Sequence, residues 1–237
     1  MAQRSKRYLN LEAMADGQQP REPGAAIALA KQMASAKFDE TMEVHLRTGA
    51  DPRHADQQIR GVAMLPNGLG KSVRVLVFAQ GEAAEAAREA GAEYVGDDDL
   101  VERIEGGWVE FDTSIATPDM MGKVGRLGRV LGRRGLMPNP RTGTVVAPGD
   151  IGRAVTEAKQ GRVEVRMDRT AIIHAPVGKA SFENGALLEN LAALMEMIVR
   201  ARPASVKGQF VRSGYLTTSM GPSVRLDLPS LLALRVE

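Results

Sequence analysis

Two strand patterns occur in this chain, and they occupy different parts of it. Towards both ends, apolar and polar residues alternate. Thr41 to Thr48 sets Met42, Val44 and Leu46 against Glu43, His45 and Arg47. Arg162 to Met167 sets Val163, Val165 and Met167 against Arg162, Glu164 and Arg166. Val224 to Leu228 sets Val224, Leu226 and Leu228 against Arg225 and Asp227. A period of two marks a strand with one buried and one wet face, as in an open antiparallel sheet. In the middle, Val73 to Phe78 (VRVLVF) is nearly all apolar, as expected of a strand covered on both faces.

What surrounds each pattern sharpens the division. The central run is followed by an Ala- and Glu-rich helical segment, Glu82 to Ala90, and a short strand around Tyr94 and Val95. A helix over Asp98 to Ile104, a strand over Ser114 to Ala116 and a helix start at Thr117-Pro118-Asp119 come next. Strand–helix alternation predicts a doubly wound sheet. The outer parts carry two amphipathic helices. Gly24 to Ser35 turns Ile27, Ala30 and Met33 or Ala34 inward. Glu183 to Ala201 lines up Leu187, Leu188, Leu191, Leu194, Met195, Ile198 and Val199, with Pro203 just beyond. The turn-rich stretch Leu65 to Gly70 reads as a hinge, and alternation resumes near Gly161.

The expected architecture is therefore mixed α/β and α+β. Residues 1–67 and 161–237 form a discontinuous α+β domain, and residues 68–160 an inserted Rossmann-like α/β domain. Neighbouring crossings would let the two swing as bodies. A length of 237 residues accommodates both, and 43% hydrophobic with 25% charged residues supports packed cores. No eighteen-residue apolar run marks a membrane span. The opening MAQRSKRYLN lacks the apolar core of a secretory signal. The absence of cysteine excludes disulfides, thiol catalysis and thiolate metal sites.

A net charge of +2 conceals segregation. Gly81 to Asp119 holds twelve acidic residues against Arg88 and Arg103. Met120 to Gly149 holds Lys123, Arg126, Arg129, Arg133, Arg134 and Arg141 with no acid. An acid-free basic block of that length points to a polyanion, nucleic acid first, or to a merely solvated face. Within it, Gly122 to Gly135 (GKVGRLGRVLGRRG) places five glycines among five basic residues. Each glycine costs a helix about 1 kcal/mol relative to alanine, so the stretch serves close contact: with phosphate or RNA, or with a packed neighbouring helix. Lys207-Gly208-Gln209-Phe210-Val211 faintly resembles the basic–glycine–aromatic strand of RNA recognition motifs. With one Trp, three Tyr and five Phe, the chain suits recognition of folded RNA by shape and 2′-hydroxyls better than a broad stacking platform.

Enzyme readings fare worse. Gly70-Lys71-Ser72 ends like a phosphate-binding loop and carries the rival reading of a nucleotide-binding enzyme. Leu65 stands where that motif needs glycine, and a strand pattern follows where a helix is required. His45, His54 and His174 are scattered, none in a metal-ligand spacing. Asp97-Asp98-Asp99 reads as a helix cap with first-turn acids rather than a cation site. No catalytic residue, metal ligand or cofactor site is expected.

Five segments carry a resemblance: AKFDET at 36–41, TPDMMG at 117–122, RGLMPNP at 134–140, HAPVGKASF at 174–182 and SMGPS at 219–223. In this order they resemble the bacterial family of ribosomal protein L-one, a component of the mobile stalk of the large ribosomal subunit. The resemblance implies a hinged, discontinuous two-domain fold and no enzyme activity. It implies binding to a structured site on large-subunit rRNA, help in releasing deacylated tRNA from the exit site, and repression of its own operon mRNA. The implied location is cytoplasmic, on the ribosome among its other components, and not at a membrane. Carried over by position, the rRNA surface comprises Phe38, Thr41, Arg166, Arg169, Thr170, Thr217, Ser219, Met220 and Gly221. Phe38 packs on a sugar or base, Thr217 and Ser219 pair with a 2′-hydroxyl, and Gly221 admits RNA to the main chain. Lys123, Arg126, Arg129, Arg133 and Arg134 are the candidate tRNA or further RNA contacts. Asn67, Arg133 and Ser219 depart from the family pattern, where histidine, proline and threonine are common. The tail after Leu228 is expected to be a variable extension.

Overall fold

A computed structural model describes residues 4–15 and 19–235. Along the chain run α1 (Lys6–Met14), α2 (Pro23–Met33), β1 (Thr41–Thr48), β2 (Arg60–Met64), β3 (Val75–Phe78), α3 (Glu82–Glu89), β4 (Tyr94–Gly96) and α4 (Asp98–Glu105). Then come β5 (Thr113–Ala116), α5 (Met121–Val124), α6 (Gly128–Arg134), α7 (Ile151–Lys159), β6 (Arg162–Arg166), β7 (Ile172–Lys179), α8 (Asn184–Arg200), β8 (Val211–Thr218), β9 (Val224–Arg225) and α9 (Leu228–Ala233). The chain divides into two compact units, Met1–Gly70 with Val163–Glu237, and Lys71–Arg162.

The first unit is built on an antiparallel sheet of order β7-β1-β8-β9. Alternation in β1 buries Met42, Val44 and Leu46, and the matching faces of β7 and β8 bury Ile173, Ala175, Val177 and Leu216. Ile27, Ala30 and Met33 of α2 and Leu187, Leu191, Leu194, Met195 and Ile198 of α8 complete that core. In α8, Val199 is exposed and Asn190 is fully buried, against the sequence expectation. Asn190 earns its place by hydrogen bonding: its Oδ1 accepts from Asn67 N (3.0 Å), and its Nδ2 donates to Gly68 O (3.0 Å) and Val177 O (2.8 Å). The Leu65–Gly70 turn is thereby pinned to α8, and the passage into the second unit falls after Gly70. On the return the passage falls after Arg162, rather than at Gly161.

Three expectations about this unit need correction. Arg162 to Met167 does alternate, but β6 pairs with β2 in a separate two-stranded sheet. Val224 to Leu228 is not one strand: β9 stops at Arg225 because Asp227 caps α9, accepting from Ser230 N at 3.0 Å. The tail is not a loose extension, since Leu231 of α9 lies fully inside the core. Burying one leucine contributes about 2 kcal/mol.

The second unit has a parallel sheet of order β4-β3-β5. All four residues of β3 are buried, as its unbroken apolar run requires. Val75 and Val77 pack with Ala83, Ala84 and Ala87 of α3 and Ile151, Ala154, Val155 and Ala158 of α7. Leu76 and Phe78 pack on the other face with Leu100, Val101 and Ile104 of α4 and with Val124, Leu127 and Leu131. Thr117 precedes the short helical turn Pro118–Met120, but its side chain makes no capping hydrogen bond, and it is buried.

Candidate nucleic-acid interface

β1 and β8 run antiparallel with Met42 opposite Thr218 and Glu43 opposite Thr217. The chain entering β1 therefore lies beside the chain leaving β8. Ser219 N donates to Thr41 O (3.0 Å), and Thr41 N donates to Ser219 Oγ (3.0 Å). Beneath them sits Glu40, 1% exposed. Its Oε1 accepts from Ala36 N (2.8 Å), its Oε2 from Met220 N (2.9 Å), and its carbonyl from Ala180 N (2.8 Å). Burial pushes the Glu40 pKa up, but the amides of Ala36 and Met220 outweigh it and hold the group below its ordinary value. One ionised carboxylate thus ties together two loops 180 residues apart in sequence.

Those loops carry the bare apolar groups of this edge. Phe38 is 57% exposed and Met220 48%. Phe38 is therefore not core. A Cβ on Gly221 would run into Thr218 Oγ1, so a larger residue there displaces the Thr218 side chain. Thr217 Oγ1 donates to Thr218 O (3.0 Å) and lies 3.3 Å from Gly221 O, and Lys179 Nζ donates to Thr41 Oγ1 (2.9 Å). The Thr217 and Ser219 hydroxyls expected to meet a 2′-hydroxyl are thus already engaged locally. Each keeps acceptor capacity for an incoming donor. Arg7 of α1 joins the edge, donating to Ser35 Oγ (2.7 Å) and Met220 O (3.1 Å).

Phe38, Thr41, Thr217, Ser219, Met220 and Gly221 form one patch. Arg166, Arg169 and Thr170 do not belong to it. Arg47 pairs with Ile172, and Thr48 N donates to Ala171 O (2.8 Å), so the 166–170 turn lies at the far end of β1, roughly 20 Å away at strand rise. The turn is stiff. Asp168 Oδ1 accepts from Thr170 N and Ile172 N (both 2.8 Å), and Ala171 adopts φ 64°. Desolvation opposes ionisation of Asp168, but the Thr170 hydroxyl and these amides lower its pKa to about 2. Between the two patches the outward face of β1 presents Glu43, His45 and Arg47. By register Tyr215 and His174 stand opposite His45. Glu40, Arg7 and Lys179 are the residues that sequence reasoning missed. Glu40 was visible as the acid inside AKFDET, whereas nothing in the sequence marked Arg7.

In the second unit, Gly122 to Gly135 forms broken helical pieces: α5, a 3-10 turn over Gly125–Leu127, and α6 ending at left-handed Gly135 (φ 70°). A Cβ added at Gly122, Gly125, Gly128, Gly132 or Gly135 would meet nothing within 4 Å. The glycines therefore do not serve tight helix packing. They leave the backbone open on the side where the basic residues stand. Lys123 pairs with Asp98 (2.7 Å). Arg126, Arg129, Arg133 and Arg134 are exposed, and their side chains make no ion pair or hydrogen bond among the described residues.

The remaining motifs are absorbed by structure. Lys71 pairs with Asp112 (2.7 Å), as does Arg74 (3.1 Å), and no helix opens at Gly70-Lys71-Ser72. That removes the phosphate cradle from the nucleotide-enzyme reading. Asp97 caps α4 in position only, accepting from Gln80 Nε2 (2.8 Å). Phe210 of the KGQFV segment is buried and offers no stacking face. Among the described residues no helix is long and apolar enough to cross a membrane.

Residues 30–222 match the model of the Ribosomal protein L1p/L10e family. The chain belongs to this ribosomal protein family. The large ribosomal subunit protein uL1 of Dehalococcoides mccartyi (strain ATCC BAA-2266 / KCTC 15142 / 195) is 53% identical over 234 residues, covering 99% of both chains. That of Chloroflexus aggregans is 54% identical over 237 residues, covering 100% of both. The family read from the sequence motifs is the correct one, and it is a family of ribosomal proteins rather than enzymes.

Proposed function

We propose that this chain is an RNA-binding component of the large ribosomal subunit that grips a structured rRNA site with the Thr41–Gly221 edge of its four-stranded sheet. The observation that carries this is the edge itself: Phe38 and Met220 stand exposed on two loops held rigid from below by Glu40. Rigid aromatic and apolar groups beside open main chain suit sugar and base contact at low ordering cost. Arg166, Arg169 and Thr170 make a second contact at the far end of β1. The 1–70/163–237 unit is the rRNA-binding domain and 71–162 the inserted one. Lys123, Arg126, Arg129, Arg133 and Arg134 of the inserted domain meet phosphate, with tRNA leaving the exit site as the partner the family resemblance suggests. The same rRNA-like recognition extends to the chain's own operon mRNA, and the protein resides in the cytoplasm on the ribosome.

Replacing Ser219 and Met220 by bulky or acidic residues abolishes binding to a large-subunit rRNA fragment while the thermal melt stays intact. Unchanged affinity at matched salt would refute the site, and failure of the wild-type chain to co-sediment with large subunits would refute the assignment.

A further inference from the structure

The sequence separates His45 and His174 by 129 residues, but the fold sets them directly opposite each other on β1 and β7. Their neighbours Val44, Leu46, Ile173 and Ala175 are buried, so both imidazoles stand on the outward face. The two Nδ1 atoms are 2.8 Å apart, with ring centroids at 4.9 Å and planes at 64°. Two nitrogens bound at about 2.0 Å to one ion and at right angles to each other lie about 2.8 Å apart; a tetrahedral ion would need about 3.3 Å.

We propose that His45 and His174 form a two-imidazole site for one divalent late transition-metal ion of tetragonal preference, Cu2+ ahead of Ni2+ and Zn2+. The order follows the general affinity series of nitrogen ligands for these ions. Both ligands are the Nδ1 atoms, and water fills the other positions, since no group of three or more metal-ligating side chains occurs among the described residues.

A second feature supports the same site. His174 Nε2 lies 3.5 Å from Asp168 Oδ2, on the side of the ring away from His45. Asp168 is oriented by the amides of Thr170 and Ile172. This carboxylate favours a proton on His174 Nε2 and leaves the Nδ1 lone pair free, so that a small turn of each ring converges the two Nδ1 lone pairs on one ion. A carboxylate behind a ligating imidazole is the usual outer shell of histidine metal sites. In the empty site one Nδ1–H donates to the other Nδ1, and with the His174 proton drawn to Nε2 by Asp168 the donor is His45. On binding, that proton moves to His45 Nε2, so the ring changes tautomer and the ion takes its place. The remaining groups on this face are Glu43, Arg47 and Tyr215. The site makes no use of the RNA reading and stands or falls without it.

The test is a titration of the untagged full-length chain with Cu2+ and Ni2+ at pH 7.5, followed by calorimetry and, for Cu2+, by its visible absorption. One ion binds per chain, with micromolar affinity. His45→Ala and His174→Ala each weaken binding at least about tenfold, the double variant abolishes it, and His54→Ala changes nothing. Asp168→Asn weakens it about 10- to 100-fold, the range for loss of an outer-shell partner. Both imidazoles stand on the outward face of the sheet, His174 exposed and His45 half-buried, so the thermal melts of the two histidine variants stay close to wild type. Saturable binding that survives in the double variant, or no saturable wild-type binding up to millimolar metal, would overturn the site.

Discussion

At the Thr41 end of the four-stranded sheet, one buried carboxylate, a crowded glycine and paired main-chain bonds fix the backbone of the two loops that could face a ligand. On α5 and α6 of the inserted unit the corresponding residues are held by almost nothing. Their glycines face open space, and Arg126, Arg129, Arg133 and Arg134 on and between them make no side-chain ion pair or hydrogen bond among the described residues. The first arrangement has its ordering cost met during folding, so it can discriminate shape. The second supplies charge and access, and adapts to whatever phosphate approaches. Glycine makes the contrast plain, because the same residue type is crowded by the Thr218 side chain at Gly221 and left unhindered at Gly128.

The largest effect is expected at Glu40. Glu40→Ala strands two part-buried amides at about 1 kcal/mol or more each, and rRNA affinity falls about 100-fold in filter binding. Glu40→Gln keeps one acceptor but turns an NH2 towards the other amide, and the loss is about tenfold. A Glu40→Ala variant that binds normally would dissolve the picture of a rigid edge.

Next is the base of the inserted unit. Burial opposes ionisation of Asp112, but Lys71 and Arg74 bring its pKa down to about 2. A carboxylate depressed in the folded state stabilises above its unfolded pKa near 3.8, and that stabilisation disappears as pH falls through about 2. Asp112→Asn is expected to cost about 1–2 kcal/mol at pH 7 in chemical denaturation. The gap to wild type should close between pH 4 and 2. A gap that persists at pH 2 would mean packing, not charge, is responsible.

The glycines give the sharpest two-way test. Gly128→Ala or Gly125→Ala should raise stability by up to about 1 kcal/mol, because the helix gains and nothing is displaced. Gly221→Ala should lower rRNA affinity through its clash with Thr218. A lower melting temperature for Gly128→Ala would show those glycines to be packed after all. The smallest effects belong to the arginines: Arg126→Gln, Arg129→Gln, Arg133→Gln and Arg134→Gln each flatten the salt dependence of RNA binding by about one unit if that residue meets a phosphate. A slope indifferent to all four would leave this face merely solvated.

Much of this was legible in the sequence. β1 and β3 announced their surroundings by alternation and by unbroken apolarity, and α8 announced its buried stripe, because each signal repeats within a few residues. The family segments marked Phe38, Thr41 and Ser219 to Gly221. The misreadings share a cause. Val224 to Leu228 kept its alternation while Asp227 ended the strand, and Leu231 looked like tail because its core lies across the sheet. Arg166, Arg169 and Thr170, which the family resemblance places on the same RNA surface as Ser219, stand at the opposite end of β1, a separation that follows from strand direction rather than from sequence distance.

Taken alone, the order of residues determined which segments are strands or helices, which faces they bury, and where positive charge collects, since those depend on near neighbours. Only the tertiary structure decided that Glu40 would hold Met220 and that His45 would meet His174. Such pairings depend on strand order and register, which are settled by the packing of the whole sheet on α2 and α8 rather than by any window of sequence.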